Sequence, residues 1–169
     1  LSVELPRVFP QLRCGPIEAV KVEDWSATWK KDFHGFSLGE RFFISPSWES
    51  PPKTERIILR VDPERAFGTG THDSTRLSLE LIESHARPGM SVIDAGTGTG
   101  ILAMAAAALG CSPVLAIDAD AEAVSCARAN IIRNQFEHTI QVQEVSLADA
   151  TPLPAHLVVA NLTEAIIRK

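Results

Sequence analysis

The chain has 169 residues, 45% hydrophobic and 22% charged, with 16 Lys plus Arg against 21 Asp plus Glu and a formal net charge of -5. That composition excludes global disorder and fits one domain, or one domain with a small appendage. No apolar run approaches the roughly 18 to 20 residues that span a bilayer, and the acidic balance argues against a nucleic-acid-binding face while suiting a basic protein partner.

Residues 1–24 carry Pro6, Pro10, Gly15 and Pro16 before a short alternating run, Ile17 to Val22. That run reads as one strand at most, too little to fold alone. Asp24 is placed to cap a short helix with Trp25 and Trp29 on one face. Arg41 to Ile44 and Arg56 to Val61 read as strands, separated by the Pro-rich loop Ser45 to Pro52. The glycine-rich loop Phe67-Gly68-Thr69-Gly70-Thr71-His72 feeds a helix over Asp73 to Ser84, with Leu77, Leu81 and Ile82 at helical spacing. Alternating elements follow: a strand from Ser91 to Ala95, a helix from Ile101 to Leu109 stopped by Gly110, and a strand from Val114 to Ile117. Asp120 caps a helix reaching Asn134, with Val124, Ala127 and Ile131 inward. Thr139 to Val145 and His156 to Ala160 complete the strands. This alternation predicts an α/β fold, a doubly wound and mostly parallel sheet. Such sheets usually carry more strands, so the pattern reads as a domain truncated in its C-terminal half. The N-terminus lacks a charged-then-apolar pattern and does not read as a secretory signal, and the start at Leu1 rather than Met reads as a fragment.

Cys14, Cys111 and Cys126 lack CxxC spacing and give neither a disulfide framework nor a metal site. The apolar surroundings of Cys111 and Cys126 predict buried thiols, and the usage points to a reducing cytoplasm.

The segment Val92-Ile93-Asp94-Ala95-Gly96-Thr97-Gly98-Thr99-Gly100 carries the chemistry. An apolar strand ends in an acid, and a glycine turn then opens a helix. Glycines there let the backbone turn tightly and a ligand approach closely. Asp118 closes the next strand, where an acid accepts hydrogen bonds from ribose hydroxyls. A dinucleotide site would place its third glycine at Ile101, whereas here it is Gly100. An acid at Asp94 also sits badly beside a pyrophosphate. It suits a cationic group, directly or through a water. The spacing therefore favours S-adenosyl-L-methionine over a nicotinamide dinucleotide.

Asn161, directly after the last strand, faces the same crevice, where its carbonyl can accept a hydrogen bond from an attacking amine. A turn-forming Asn is the alternative. Thr71 or Thr75 can donate to a carboxylate at a helix N-terminus, or serve as an ordinary cap. His72 reads as a solvated or structural histidine, and His34, His85, His138 and His156 show no partnering pattern. Trp48 reads as packing under its loop. Glu144 and Ser146 lie where an adenine edge could be read, with nothing local to decide it.

Together these residues resemble the methyltransferases that modify the eleventh protein of the large ribosomal subunit. The resemblance covers Val20 to Lys169. It rests on Asp24-Trp25 with Trp29, Ile44-Ser45-Pro46-Ser47-Trp48, Ala66 to His72, Val92 to Leu102, Ala116 to Asp120 and Val158 to Leu162. It implies a class I methyltransferase fold and transfer of methyl groups from S-adenosylmethionine to α-amino and lysine amino groups of a ribosomal protein. No nucleic acid and no membrane enters that picture. By motif position the family's cofactor contacts fall on Thr75, Gly96, Asp118 and Asn161. With the acid and remaining glycines of the turn, the expected cofactor site is Thr75, Asp94, Gly96, Gly98, Gly100, Asp118 and Asn161, with Asn161 also catalytic. The chain departs from the family at Asp73, where Pro is usual, and at Thr97 and Thr99, where Cys and Ser are usual. The family's organisation makes residues 1–24 the remnant of a substrate-recognition domain or a linker, and 25–169 a partial methyltransferase domain. Methylation of a different protein or small-molecule amine, and a non-catalytic adenosyl-binding module, are the competing readings.

Overall fold

A computed structural model describes residues 33–62, 70, 72–150 and 154–163. The readings of a strand at Ile17 to Val22, a helix at Asp24, the thiol of Cys14, the domain boundary at residue 24 and most of the Phe67 to His72 loop lie outside these residues.

Two sheets sandwich a layer of helices. The smaller sheet holds β1 (Phe36–Leu38), β2 (Phe42–Ser45) and β3 (Ile57–Arg60) in the order β1-β2-β3, with β1 antiparallel and β3 parallel to β2. Helix α1 (Asp73–His85) follows, then β4 (Val92–Ala95), α2 (Ile101–Ala108), β5 (Val114–Asp118), α3 (Ala121–Arg133), β6 (Ile140–Glu144) and β7 (Leu157–Ala160). The larger sheet is parallel throughout, in the order β6-β5-β4-β7, and registers Asp94 with Ala116 and Asp118 with Glu144. The α/β class with a parallel sheet is as the sequence indicates. Strand β1 was not legible, being three residues between Gly35 and Gly39.

Helix α2 sits between the layers. Its sequence, ILAMAAAA, is apolar all round, and every residue from Ile101 to Ala107 is buried, as expected of a helix covered on all sides. It packs on β4 and β5, against α1, and toward β3. Val92, Val114, Ala116 and Ile140 of the large sheet join Leu38, Phe42, Ile44, Leu59 and Val61 in one core. The opposite face of the large sheet carries Ile93, Leu115, Gln141 and Val158. It is half-buried to exposed, and Val158 is 60% exposed.

Helix α3 turns Val124, Ala127 and Ile131 inward as its periodicity requires, and Asp120 caps it by accepting from the Glu122 N–H at 2.9 Å. Helix α1 corrects the sequence reading. Leu77 and Leu81 are 54% and 60% exposed, and the buried stripe is Thr75, Leu79 and Ile82. His72 caps this helix, its Nδ1 accepting from the Ser74 N–H at 3.3 Å. Cys111 and Cys126 are both buried, as their apolar surroundings predict. Burial pushes the Cys111 thiol pKa up.

The free edge of β3 is closed by side chains. Val61 N–H bonds inward to Ser45 O, so Arg60 and Asp62 direct their backbone groups outward. Asn134 accepts from Arg60 N–H at 2.8 Å and donates to Arg60 O at 2.7 Å. Asn130 does the same for Asp62, at 3.0 and 3.1 Å. Residues two apart in an extended chain are spaced by about 6.6 Å, and residues four apart on a helix rise by about 6 Å. Two amides one turn apart, Asn130 on α3 and Asn134 at its C-cap, therefore match Arg60 at the end of β3 and Asp62 just beyond it, like a short added strand.

Candidate functional site

The expected site residues gather at the carboxyl ends of β4, β5 and β7, where ligands bind in open α/β sheets. The turn from Gly96 to Gly100 is held onto the end of β5. Gly96 N–H and Thr97 N–H both donate to Ile117 O, at 2.8 and 2.9 Å, and Gly98 N–H donates to Asp118 Oδ2 at 2.9 Å. Gly96 has φ +72°, and a Cβ there would collide with the Leu162 side chain. Gly100 has φ +83° and caps the start of α2, where an added Cβ would lie 3.3 Å from the Ala127 Cβ. That glycine thus permits close approach of α2 and α3. The left-handed backbone alone makes Gly100→Ala cost about 1–2 kcal/mol, so the variant should unfold at lower urea concentration. An unchanged midpoint would refute the strain argument.

Asp94 is fully buried. Its Oδ2 accepts from Thr97 Oγ1 at 2.6 Å and from the Ala103 N–H at 3.1 Å. Gly100 has no side chain with which to cap α2, so Asp94 performs that task from the neighbouring strand, with its charge at the favourable end of the helix dipole. This structural role was not foreseen. Its Oδ1 has no hydrogen-bond partner. Burial raises the Asp94 pKa to about 6; the Thr97 and Ala103 bonds oppose the rise and the charge of Asp118 adds to it. A buried carboxylate with one idle oxygen is costly. It is suited to a cationic group or its bridging water.

Asp118 is half-buried, with Oδ2 on Gly98 N–H and Oδ1 on Asp120 N–H at 3.0 Å. A carboxylate offers about four lone-pair sites, so each oxygen keeps capacity for a ribose hydroxyl. The idle Asp94 oxygen and the spare lone pairs of Asp118 fit an adenosyl ligand with a cationic end.

Asn161, just past β7, donates from Nδ2 to Thr75 Oγ1 at 3.2 Å. Thr75 is itself 1% exposed. The structure thus brings together two residues far apart in sequence, and the bond leaves Asn161 Oδ1 as an acceptor. Thr71 lies outside the described residues. Trp48 packs obliquely on the Phe33 ring, centroids 6.3 Å apart. Ser146 bonds Asp149 Oδ2 at 2.6 Å, and Glu144 is exposed at the end of β6. His34 pairs with Glu49 at 2.6 Å, and His156 Nδ1 accepts from Ser91 N–H at 3.0 Å, partners that only the fold supplies.

The family model for ribosomal protein L11 methyltransferase (PrmA) matches residues 10–169. The chain belongs to that family. It is 42% identical over 153 residues to the ribosomal protein L11 methyltransferase of Geobacillus kaustophilus, covering 89% of this chain and 49% of the relative. It is 40% identical over the same span to that of Geobacillus thermodenitrificans. The chain therefore spans about half the length of these curated relatives. A crystal structure of the ribosomal protein L11 methylase from Lactobacillus delbrueckii subsp. bulgaricus superposes with a TM-score of 0.73 at 36% identity, covering 80% of this chain and 69% of that one. The methyltransferase fold that the resemblance implies is thus shared with a family member of known structure.

Sequence reasoning missed Thr97 and Asn130. Thr97 had a signal, a hydroxyl three residues after the acid. Asn130 had none, because its partners lie 68 and 31 positions away.

Proposed function

We propose that this chain binds S-adenosyl-L-methionine and forms the cofactor half of a cytoplasmic protein N-methyltransferase. Its substrates are α-amino and lysine amino groups of ribosomal protein L11. Membership of the family supports the substrate class. No helix among the described residues is long and apolar enough to cross a membrane. The observation that carries the cofactor reading is the pairing of two acids at adjacent strand ends, Asp94 with an idle buried oxygen and Asp118 with spare lone pairs.

When bound, S-adenosylmethionine supplies a sulfonium methyl and its own leaving group, so the protein mainly provides position and desolvation. Asp118 would hold the ribose hydroxyls, and Asp94 would answer the cationic amino end. Asn161, its amide held by Thr75, would present Oδ1 to an N–H of the incoming amine and so orient its lone pair. The amine must be neutral to attack. An α-amino group, with a pKa near about 8, is partly neutral already, while a lysine near about 10.4 needs desolvation. An amide is no base, so the proton leaves to water.

Calorimetric titration of the purified chain with S-adenosylhomocysteine, with NAD as control, tests the cofactor reading. Saturable 1:1 binding of the former alone is expected. Binding of NAD, or of neither, would overturn it. Methylation of L11 then separates a catalytic chain from an adenosyl-binding module, a distinction motivated by the half-length match.

A further inference from the structure

We propose that Asn130 is a positioning residue for the cofactor site, tying the glycine turn to Asp62 just past β3. This rests on the adenosyl-binding reading above. Asn130 is 1% exposed and uses all four hydrogen bonds available to its amide. Oδ1 accepts from Asp62 N–H at 3.0 Å and from Arg133 Nη1 at 2.7 Å. Nδ2 donates to Asp62 O at 3.1 Å and to Thr99 O at 3.0 Å. The orientation is fixed by its partners, since a guanidinium only donates and the atom facing it must be the oxygen.

Thr99 lies inside the glycine turn, one residue before Gly100. Asp62 is the last described residue before the segment that continues to α1. Asp62 is itself anchored, accepting from Ser47 N–H and Ser47 Oγ at 2.7 Å each and pairing with Arg133 at 3.1 Å. One buried amide therefore ties the turn that carries Gly96 and Gly98 to the anchored Asp62. Asn134 is the internal comparison. It clamps Arg60 with the same pair of bonds one turn along the helix, and its remaining donor contacts go to Asn130 O and Met104 Sδ, away from the glycine turn.

The test compares the intact chain with Asn130→Ala and Asn134→Ala, by thermal unfolding and by calorimetric titration with S-adenosylhomocysteine. Both variants should lower the melting temperature. Asn130→Ala should weaken S-adenosylhomocysteine by about tenfold, the order expected when one or two buried hydrogen bonds are lost. Asn134→Ala should leave affinity within about twofold, since its clamp does not touch the site. Equal weakening by both, or none by Asn130→Ala, would overturn the proposal while leaving the cofactor reading intact. No binding by the folded parent chain would overturn the cofactor reading and this proposal with it. Should Asn130→Ala fail to fold, amide exchange in the parent chain decides. Adding S-adenosylhomocysteine should slow exchange of Asp62 N–H more than that of Arg60 N–H, and equal protection of the two would count against Asn130.

Discussion

The expected result of Asp94→Asn is a ligand-free chain that is more stable at neutral pH and binds S-adenosylhomocysteine less well. The Asp94 pKa rises from 3.8 to about 6 on folding, chiefly through burial. The folded state therefore holds its proton more tightly than the unfolded state. Stability from this group is fully present below about pH 4 and is lost as pH climbs through about 6. A shift of that size corresponds to about 3 kcal/mol at neutral pH. The substituted amide would carry no charge and its oxygen could still accept from both Thr97 and Ala103, but its NH2 would bury donors where Oδ1 now lies, so the gain at pH 8 should approach but not reach that figure. At pH 4 the two proteins should converge. Denaturant unfolding across pH 4 to 8 measures this, and a difference independent of pH would refute the buried-acid argument. Binding should show the opposite ranking. The ligand's ammonium group favours the ionised acid, so the parent chain should bind S-adenosylhomocysteine about tenfold more weakly at pH 5 than at pH 7. The variant should bind weakly throughout.

Asn161→Ala should reduce methyl transfer to L11 by about 100-fold, the scale of misplacing a reacting group, with a much smaller change in S-adenosylhomocysteine affinity. The protein for this assay is one in which the L11 reaction is measurable. Thr75→Val should act in the same direction, because it removes the hydroxyl that holds the Asn161 amide at 3.2 Å. Thr75→Ser, which keeps the hydroxyl, should restore most of the rate. Single-turnover kinetics separates the outcomes. An unchanged rate for Asn161→Ala would remove it from the mechanism, and equal losses of rate and affinity would make it a binding residue alone.

The parallel sheet, α2, α3 and the glycine turn were legible because each is announced locally. Apolar runs give the strands, Asp120 marks a helix start, and Gly110 marks a helix end. The buried face of α1 was not. The sequence reading grouped Leu77, Leu81 and Ile82; only Ile82 of these is buried, and its companions inside are Thr75 and Leu79. Thr75 is tolerated inside because Asn161 meets its hydroxyl, a fact that only the fold supplies. Asp94 was identified from its place before the glycines, whereas its duty as a cap for α2 depends on a bond to Ala103 that the sequence does not declare. Asn130 and Asn134 read as poor helix formers. Their value appears only when β3 lies beside them.

The alanine run of α2 has a consequence for how this family can vary. Ala103, Ala105 and Ala106 are completely covered, so the helix acts as a shim whose thickness is set by methyl groups. A leucine side chain in place of one of these methyl groups must push against the sheet that carries Asp94 or against β3, which leads to Asp62. Neither can retreat alone, because Asn130 ties the second to the turn following the first. Tolerated enlargements at these positions should therefore occur as compensated pairs, a larger residue on the helix with a smaller one on the facing strand, and seldom as single changes.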